Sequence, residues 1–170
     1  MVPAALVRDA TPADLAAIVG LYNALIPSTT YTYREELADA AELGAWFDAQ
    51  IAAGFPVLVA ELDDRVVGYT AYSTFRGGTV RAGYVHTAEL TIHVDGGYHG
   101  RGIGRALMHA LCEAGRARGL HVLVAGIDAT NTGSIDFHRR LGFTETARMP
   151  EVGRKFGQWL TLVLMQRTID

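Results

Sequence analysis

The segment from Thr87 to Arg118 constrains this chain more than any other. From Thr87 to Val94, apolar and polar residues alternate. In an extended strand Ala88, Leu90, Ile92 and Val94 fall on one face, and Thr87, Glu89, Thr91 and His93 on the other. A glycine-rich turn follows, from Gly96 to Gly104. The stripe Ile103, Leu107, Ala110, Leu111 and Ala114 then predicts an amphipathic helix up to about Arg118, with Gly119 as its stop. A half-buried strand that turns directly into such a helix requires a sheet with helices packed on it.

The same turn is suited to holding an anion. The first amides of a helix have no intrahelical partner, and the helix dipole adds positive potential there. The turn reads His99-Gly100-Arg101-Gly102-Ile103-Gly104-Arg105. Missing Cβ atoms let a pyrophosphate approach the backbone, and Arg101 and Arg105 add charge at the rim. A dinucleotide fingerprint would need glycine at position 105, where arginine stands, and no Gly-Lys-Ser/Thr sequence of a Walker loop occurs. A plain glycine-rich turn without a ligand is the bland alternative.

Around this unit the chain reads as a short strand from Ala5 to Arg8, then a helix opened by Thr11, Pro12 and Asp14. Leu15, Ile18, Tyr22 and Leu25 continue that helix at helical spacing, and Pro27 breaks it. A second helix is expected from about Arg34 to Ala53. Val57 to Leu62 and Val66 to Phe75 form a hairpin across Asp63-Asp64. After the glycine turn come a strand from Val122 to Ile127, a short helix from Asn131 to Leu141, and strands from Phe143 to Met149 and from Trp159 to Arg167. The order βααβββαβαββ defines a mixed α/β domain.

Composition excludes several roles. With 170 residues and a net charge of −3, the chain has room for one good core and lacks the basic footprint of a nucleic-acid binder. No run approaches the ~18 apolar residues of a membrane span, and the N-terminus has no signal pattern, so a cytoplasmic location is expected. Cys112 is the only cysteine, which rules out an internal disulfide and fits a reducing compartment. His86, His93 and His99 match no metal-ligand spacing, so no metal is expected.

Gly100-Arg101-Gly102-Ile103-Gly104-Arg105-Ala106-Leu107 resembles the pyrophosphate loop of the GNAT acetyltransferases, Q/R-x-x-G-x-G/A. Tyr84, Thr87-Ala88-Glu89, Ala125-Gly126-Ile127-Asp128, Asn131-Thr132-Gly133-Ser134-Ile135, His138, Leu141-Gly142-Phe143 and the run from Val152 to Trp159 occur in order around it. Together they resemble the phosphinothricin N-acetyltransferase branch, which includes the methionine sulfone and sulfoximine acetyltransferases. The resemblance implies one GNAT domain over residues 1–170, with a mostly antiparallel twisted sheet flanked by helices. It implies direct transfer from acetyl-CoA to the amine of a small amino-acid-like substrate, and a homodimer.

Residue by residue, it implies that Ile92, His93 and Val94 bind pantetheine through their backbone. Gly100, Arg101, Gly102, Ile103, Gly104 and Arg105 would hold the pyrophosphate, and Asn131 would lie near the thiol. Glu89 would be the general base and His138 the group that protonates the thiolate. Phe75, Arg76, Lys155 and Trp159 would face the acceptor. This chain departs from the pattern at His99, at His93, whose side chain is expected to point toward Glu89, and at Thr161. The alternatives are a protein or peptide N-acetyltransferase, or a non-catalytic acyl-CoA sensor of the same fold.

Taken without the resemblance, Glu89 is the one acid in an otherwise neutral strand, and a solvated glutamate is the plain reading. His138 lies among Ile135, Phe137 and Leu141, as a core-edge histidine would. Arg76, Arg81 and Lys155 suit an oxyanion, Arg through its planar fork, and are otherwise surface charge. Trp46 and Phe47 read as core or dimer contacts, His109 and His121 as surface, and Cys112 as a small buried side chain.

Overall fold

The alternation of Thr87–Val94 is that of a strand buried on one face in the middle of a sheet, and it lies there. The structure, a computed structural model, describes residues 5–77 and 82–169; Arg81 lies outside them. The elements are β1 (Leu6–Asp9), α1 (Leu15–Asn23), α2 (Ala40–Ala52), β2 (Val57–Leu62), β3 (Arg65–Thr74), β4 (Thr87–Val94), α3 (Ile103–Ala117), β5 (Val122–Asp128), α4 (Thr132–Arg140), β6 (Thr144–Lys155) and β7 (Gln158–Thr168). The strands form one seven-stranded sheet in the order β1-β2-β3-β4-β5-β7-β6. Neighbours are antiparallel except β4 and β5, which run parallel.

Each face of the sheet has its own core. On one, Ala88, Leu90, Leu123 and Ala125 pack against Leu107 and Leu111 of α3, both of which are fully buried. On the other, Val59, Tyr69 and Ala71 meet Ile18 of α1 and Phe47 of α2, with Trp46 at the edge. Truncating a buried leucine such as Leu107 to alanine costs about 2–5 kcal/mol.

The central parallel ladder is short. It runs from Thr87 opposite Val122 to Leu90 opposite Ala125 and stops. β4 continues along β3 as far as Val94 opposite Gly68, and β5 continues along β7 as far as Asp128 opposite Leu162. The two middle strands therefore part beyond Leu90 and Ala125. Their facing edges carry backbone groups that no neighbouring strand takes up.

Two elements differ from the sequence reading. α2 begins at Ala40, not near Arg34, because the Asp39 side chain caps it by accepting from the Glu42 amide at 2.7 Å. The residues before it are held elsewhere, with Asn23 bonding the Ala38 backbone both ways at 2.9 Å. β6 runs on to Lys155, well past Met149, because register shifts at Glu145/Ala147 and Met149/Gly153 absorb Pro150 and Gly153 on an edge strand.

The entry to α1 is fixed by charge. Asp14 is buried, accepts from the Thr11 amide at 2.7 Å, and takes two bonds from Arg8 at 2.8 and 2.9 Å; Arg8 also reaches Glu61 on β2. The Arg8 guanidinium holds the Asp14 carboxyl down at about 2. A carboxyl depressed in the folded state stabilises above its unfolded pKa, here 3.8, and loses that contribution as pH falls toward 2. Asp14→Asn should lose about 2 kcal/mol in denaturant unfolding at pH 7, with the gap to wild type narrowing below pH ~3.8.

Candidate active site

The parting of β4 and β5 opens a slot in the sheet, with Glu89 on β4, the glycine turn after β4 and α4 after β5 on the elements that border it. Glu89 is the last residue before Leu90 on the face away from α3, opposite Ser73 and Val124. Its side chain is exposed. Its Oε1 lies 3.3 Å from where a Cβ on Gly126 would stand, so the carboxylate overhangs a bare stretch of β5.

His93 shares that face but not that place. Four residues along a strand is roughly 13 Å, and its ring packs against Tyr69 at 5.2 Å and Tyr22 at 6.0 Å between centroids. Burial pushes its pKa down to about 4. The imidazole is a neutral packing group, and it does not approach Glu89.

The glycine turn is built by its own backbone. The Asp95 side chain accepts from the Gly97 amide at 2.9 Å, and the His99 ring bonds the Val94 carbonyl at 2.9 Å. Gly100 and Gly102 adopt φ of 77° and 80°, a region open to glycine and strained for other residues. A Cβ at either would meet nothing within 4 Å. Glycine is thus demanded here by backbone conformation more than by crowding. Gly102 caps α3 without a side-chain bond, and the first helical bond is Ala106 N–H to the Gly102 carbonyl at 3.0 Å. The amides of Ile103, Gly104 and Arg105 have no helical acceptor, which leaves them for an anion. Gly104 differs, since its Cβ would come within 3.1 Å of the Phe137 ring where α3 meets α4. Arg101 rests on Tyr98 at 5.1 Å, and both Arg101 and Arg105 are exposed.

On α4, Asn131 caps the helix by accepting from the Ser134 amide at 3.1 Å. His138 is buried between Phe137 and Phe143, each centroid 5.1 Å away. Its Nδ1 lies 2.9 Å from the Ser134 carbonyl, which makes Nδ1 the protonated nitrogen. Nε2 is buried and has no partner. Burial pulls the imidazole pKa down, against the Ser134 carbonyl, so the neutral form presents a lone pair at Nε2.

The far side of the slot is made by the connection between α1 and α2, which sequence reasoning left as a break. Thr30 and Thr130 hydroxyls meet at 3.2 Å, and Tyr22 and Thr32 hydroxyls at 3.3 Å. Lys155 is wholly buried and donates to the Thr32 carbonyl at 2.8 Å, with its pKa lowered by burial. The Phe156 amide donates to Glu35 at 2.9 Å. The Tyr33 ring fits so closely on β6 that a Cβ at Gly153 would stand 2.4 Å from it. Below this connection Asp128 ends β5. Its Oδ1 accepts from the amide of Thr130 at 2.8 Å and from the Thr130 hydroxyl. Asp128 Oδ2 and the Tyr33 hydroxyl are buried without hydrogen-bond partners. Asp128 stood within the Ala125–Asp128 run of the sequence, where a polar residue ending a buried strand was the available signal; nothing marked Tyr33.

The other predicted acceptor residues fall into separate groups. Phe75 stacks edge-on with Tyr84 at 5.7 Å, and Arg76, in a left-handed conformation at φ 49°, lies over the same ring at 5.9 Å. Trp159 is 62% exposed on the β6–β7 hairpin, with Arg154 over its ring. Lys155 is committed to Thr32. Among the described residues no three His, Cys, Asp or Glu side chains gather as metal ligands would, and no helix is long and apolar enough to cross a membrane. Phe47 and Cys112 are buried, and His109 and His121 exposed.

A forked sheet with an uncapped, glycine-led helix at the fork defines an acyl-CoA transferase architecture. Residues 18–143 match the acetyltransferase (GNAT) family, and the chain belongs to it; it is an acetyltransferase. It is 43% identical to an L-methionine sulfoximine/L-methionine sulfone acetyltransferase of Pseudomonas paraeruginosa, over 96% of this chain and 94% of that protein. A phosphinothricin acetyltransferase of Sinorhizobium meliloti, solved with acetyl-CoA, superposes with a TM-score of 0.90 at 34% identity, covering 98% of this chain and 89% of that one. A ribosomal-protein-alanine N-acetyltransferase of Brucella melitensis gives 0.91 at 43% identity, covering 96% and 99%.

The burial of His93 has a pH consequence. A histidine depressed in the folded state gains its proton more readily on unfolding, so its contribution is present above pH 6.5 and lost as pH falls toward 4. In a histidine-ring NMR titration His93 should remain neutral at pH 5.5, and a midpoint near 6.5 would mean the ring is solvated. His93→Gln should flatten the acid limb of stability between pH 6.5 and 4.

Proposed function

We propose that the protein transfers the acetyl group of acetyl-CoA directly to the amino group of a small amino-acid-like acceptor of the methionine sulfone, methionine sulfoximine or phosphinothricin type. The observation that carries this reading is the position of Glu89. It is an exposed carboxylate on the open face, one residue before the strands part, hanging over Gly126. The named relatives support the acceptor class.

The pantetheine arm lies along the freed edge of β4 at Ile92, His93 and Val94, through backbone groups alone. Gly100, Arg101, Gly102, Ile103, Gly104 and Arg105 take the pyrophosphate with the amides that open α3. Asn131 and His138 border the thiol end. The acceptor enters from the face that carries Glu89, bounded by Phe75 and Arg76 on one side and by the Lys155–Trp159 hairpin on the other. Arg76 is the exposed cation for an acceptor oxyanion; Lys155 acts by holding Thr32 in place.

The acceptor arrives as an ammonium, whose nitrogen has no free electron pair. Glu89 takes one proton from it, directly or through one water. The nitrogen pair then attacks the thioester carbonyl, whose oxygen is met by backbone N–H groups on the freed edge of β4. The carbon–sulfur bond breaks, and the thiolate leaves with the electron pair and takes a proton. Neutral His138 offers Nε2 as an acceptor, so it orients the thiol end, and water supplies the thiolate's proton. The protein works in the cytoplasm as a homodimer, over residues 1–170 as one domain, without metal or nucleic acid.

The Brucella melitensis relative keeps peptide acetylation as the competing reading. Labelled acetyl-CoA offered with amino acids and with peptides decides between them. Methionine sulfone should exceed glutamate and alanine-ended peptides in kcat/KM, and a peptide ranking first would overturn the acceptor class. Glu89→Gln should bind acetyl-CoA as wild type does and lose at least about a hundredfold in kcat at pH 7, recovering partly at higher pH. Near-wild-type turnover would remove Glu89 as the base. Gly102→Val should raise the acetyl-CoA Kd at least about tenfold in calorimetry.

A further inference from the structure

Asp128 and Tyr33 have buried polar atoms that the fold does not use. Asp128 is 2% exposed. Its Oδ1 has a structural task, closing the turn from β5 into α4 through Thr130. Its Oδ2 has none. Among the described residues no cation comes within ion-pair distance of it. Excluding a carboxylate oxygen from water without a donor is expensive, and native proteins seldom leave one so without cause. The nearby Tyr33 hydroxyl is in the same state, its acidity pushed down to a pKa of about 12 by burial and then by the Asp128 carboxylate. The hydroxyl lies close enough for the carboxylate to act on it, and neither atom reaches a partner at normal hydrogen-bond geometry.

Their position gives these two atoms a meaning. On β5, Gly126 and Asp128 point to the same face, roughly 7 Å apart. Glu89 overhangs Gly126, which has no side chain and is exposed. A carboxylate, a bare glycine and a second, buried carboxylate thus follow one another along the acceptor side of the fork. The acceptor of an N-acetyltransferase is a cation until it surrenders its proton, with three donors to place.

We infer that Asp128 Oδ2 and the Tyr33 hydroxyl are the receptor for the acceptor's ammonium group, holding its nitrogen over Gly126 while Glu89 takes the proton. This rests on the reading above that the acceptor is an amine, and it adds the residues that recognise its charge. No bond is made or broken at Asp128. By attracting the charged form it selects amines over neutral molecules of the same shape. Tyr33 brings the α1–α2 connection into the site and joins acceptor binding to that connection.

The test compares an acceptor with its des-amino analogue, which keeps every other group. Both are titrated by calorimetry into protein saturated with CoA, so that no acetyl group can move. Methionine sulfone and 4-(methylsulfonyl)butanoate serve first; if the substrate panel ranks another amine higher, that amine and its des-amino form replace them. A wrong acceptor class is then seen in the panel and leaves this comparison intact. Wild type should prefer the amine at least about tenfold. Asp128→Asn keeps an oxygen for Thr130, and should bind CoA and the des-amino ligand as wild type does while its preference falls below about threefold. Tyr33→Phe keeps the ring on Gly153 and should lose part of the preference. An unchanged preference in folded Asp128→Asn, or no preference in wild type, overturns the inference. Should Asp128→Asn fail to fold, an unchanged preference in Tyr33→Phe overturns it.

Discussion

Everything distinctive in this molecule depends on a hydrogen-bond ladder that stops early. β4 and β5 pair for four residues each and then separate, although both continue and both keep their outer neighbours. An open edge inside a sheet would ordinarily invite another strand. Here the space widens toward the C-terminal ends of both strands, with α3 following β4 on one side and Asp128 ending β5 on the other. A thin, amide-bearing chain such as pantetheine fits that edge, and the amides opening α3 suit the phosphates that follow it. The core on the α3 face spans strands on both sides of the fork, while the core on the other face joins β2 and β3 to α1 and α2.

The acceptor side depends on a different kind of contact. A buried lysine would normally be a poor structural element, because removing its charge from water is costly. Lys155 offsets part of that through the Thr32 carbonyl, and burial lowers its pKa. The result is a fixed relation between the β6–β7 hairpin and the connection that carries Tyr33. The charge of Lys155 is therefore committed to architecture, whereas Arg76 remains exposed.

The order of elements and the central strand were legible because hydrophobic periodicity is local. Thr87–Val94 alternates as it must with one face on a core, and Gly102 sits where a left-handed φ is needed. The start of α2 was misplaced because Arg34–Ala38 is compatible with a helix, and Asp39 overrides it as a cap. β6 was cut short because Pro150 and Gly153 are strand breakers except at a bulged edge. The placement of Glu89 on the open face could be read from its own strand. The setting of Lys155, Tyr33 and His93 could not, because each is determined by partners that only the tertiary fold brings near. For His93 those partners are two tyrosine rings that turn a plausible base into packing.

The bonds that fasten the α1–α2 connection join residues 100 to 123 positions apart in the chain. The fork draws its partners from nearer at hand, since β3 and β4 are successive strands and β4 reaches β5 through a single helix. Contacts between distant segments form late, because the loop entropy they cost must be met before they contribute. The fork can therefore be complete while the α1–α2 connection is still unfastened. In the native state the same connection supplies no residue to either core, and it should exchange its amide hydrogens before the central strands do.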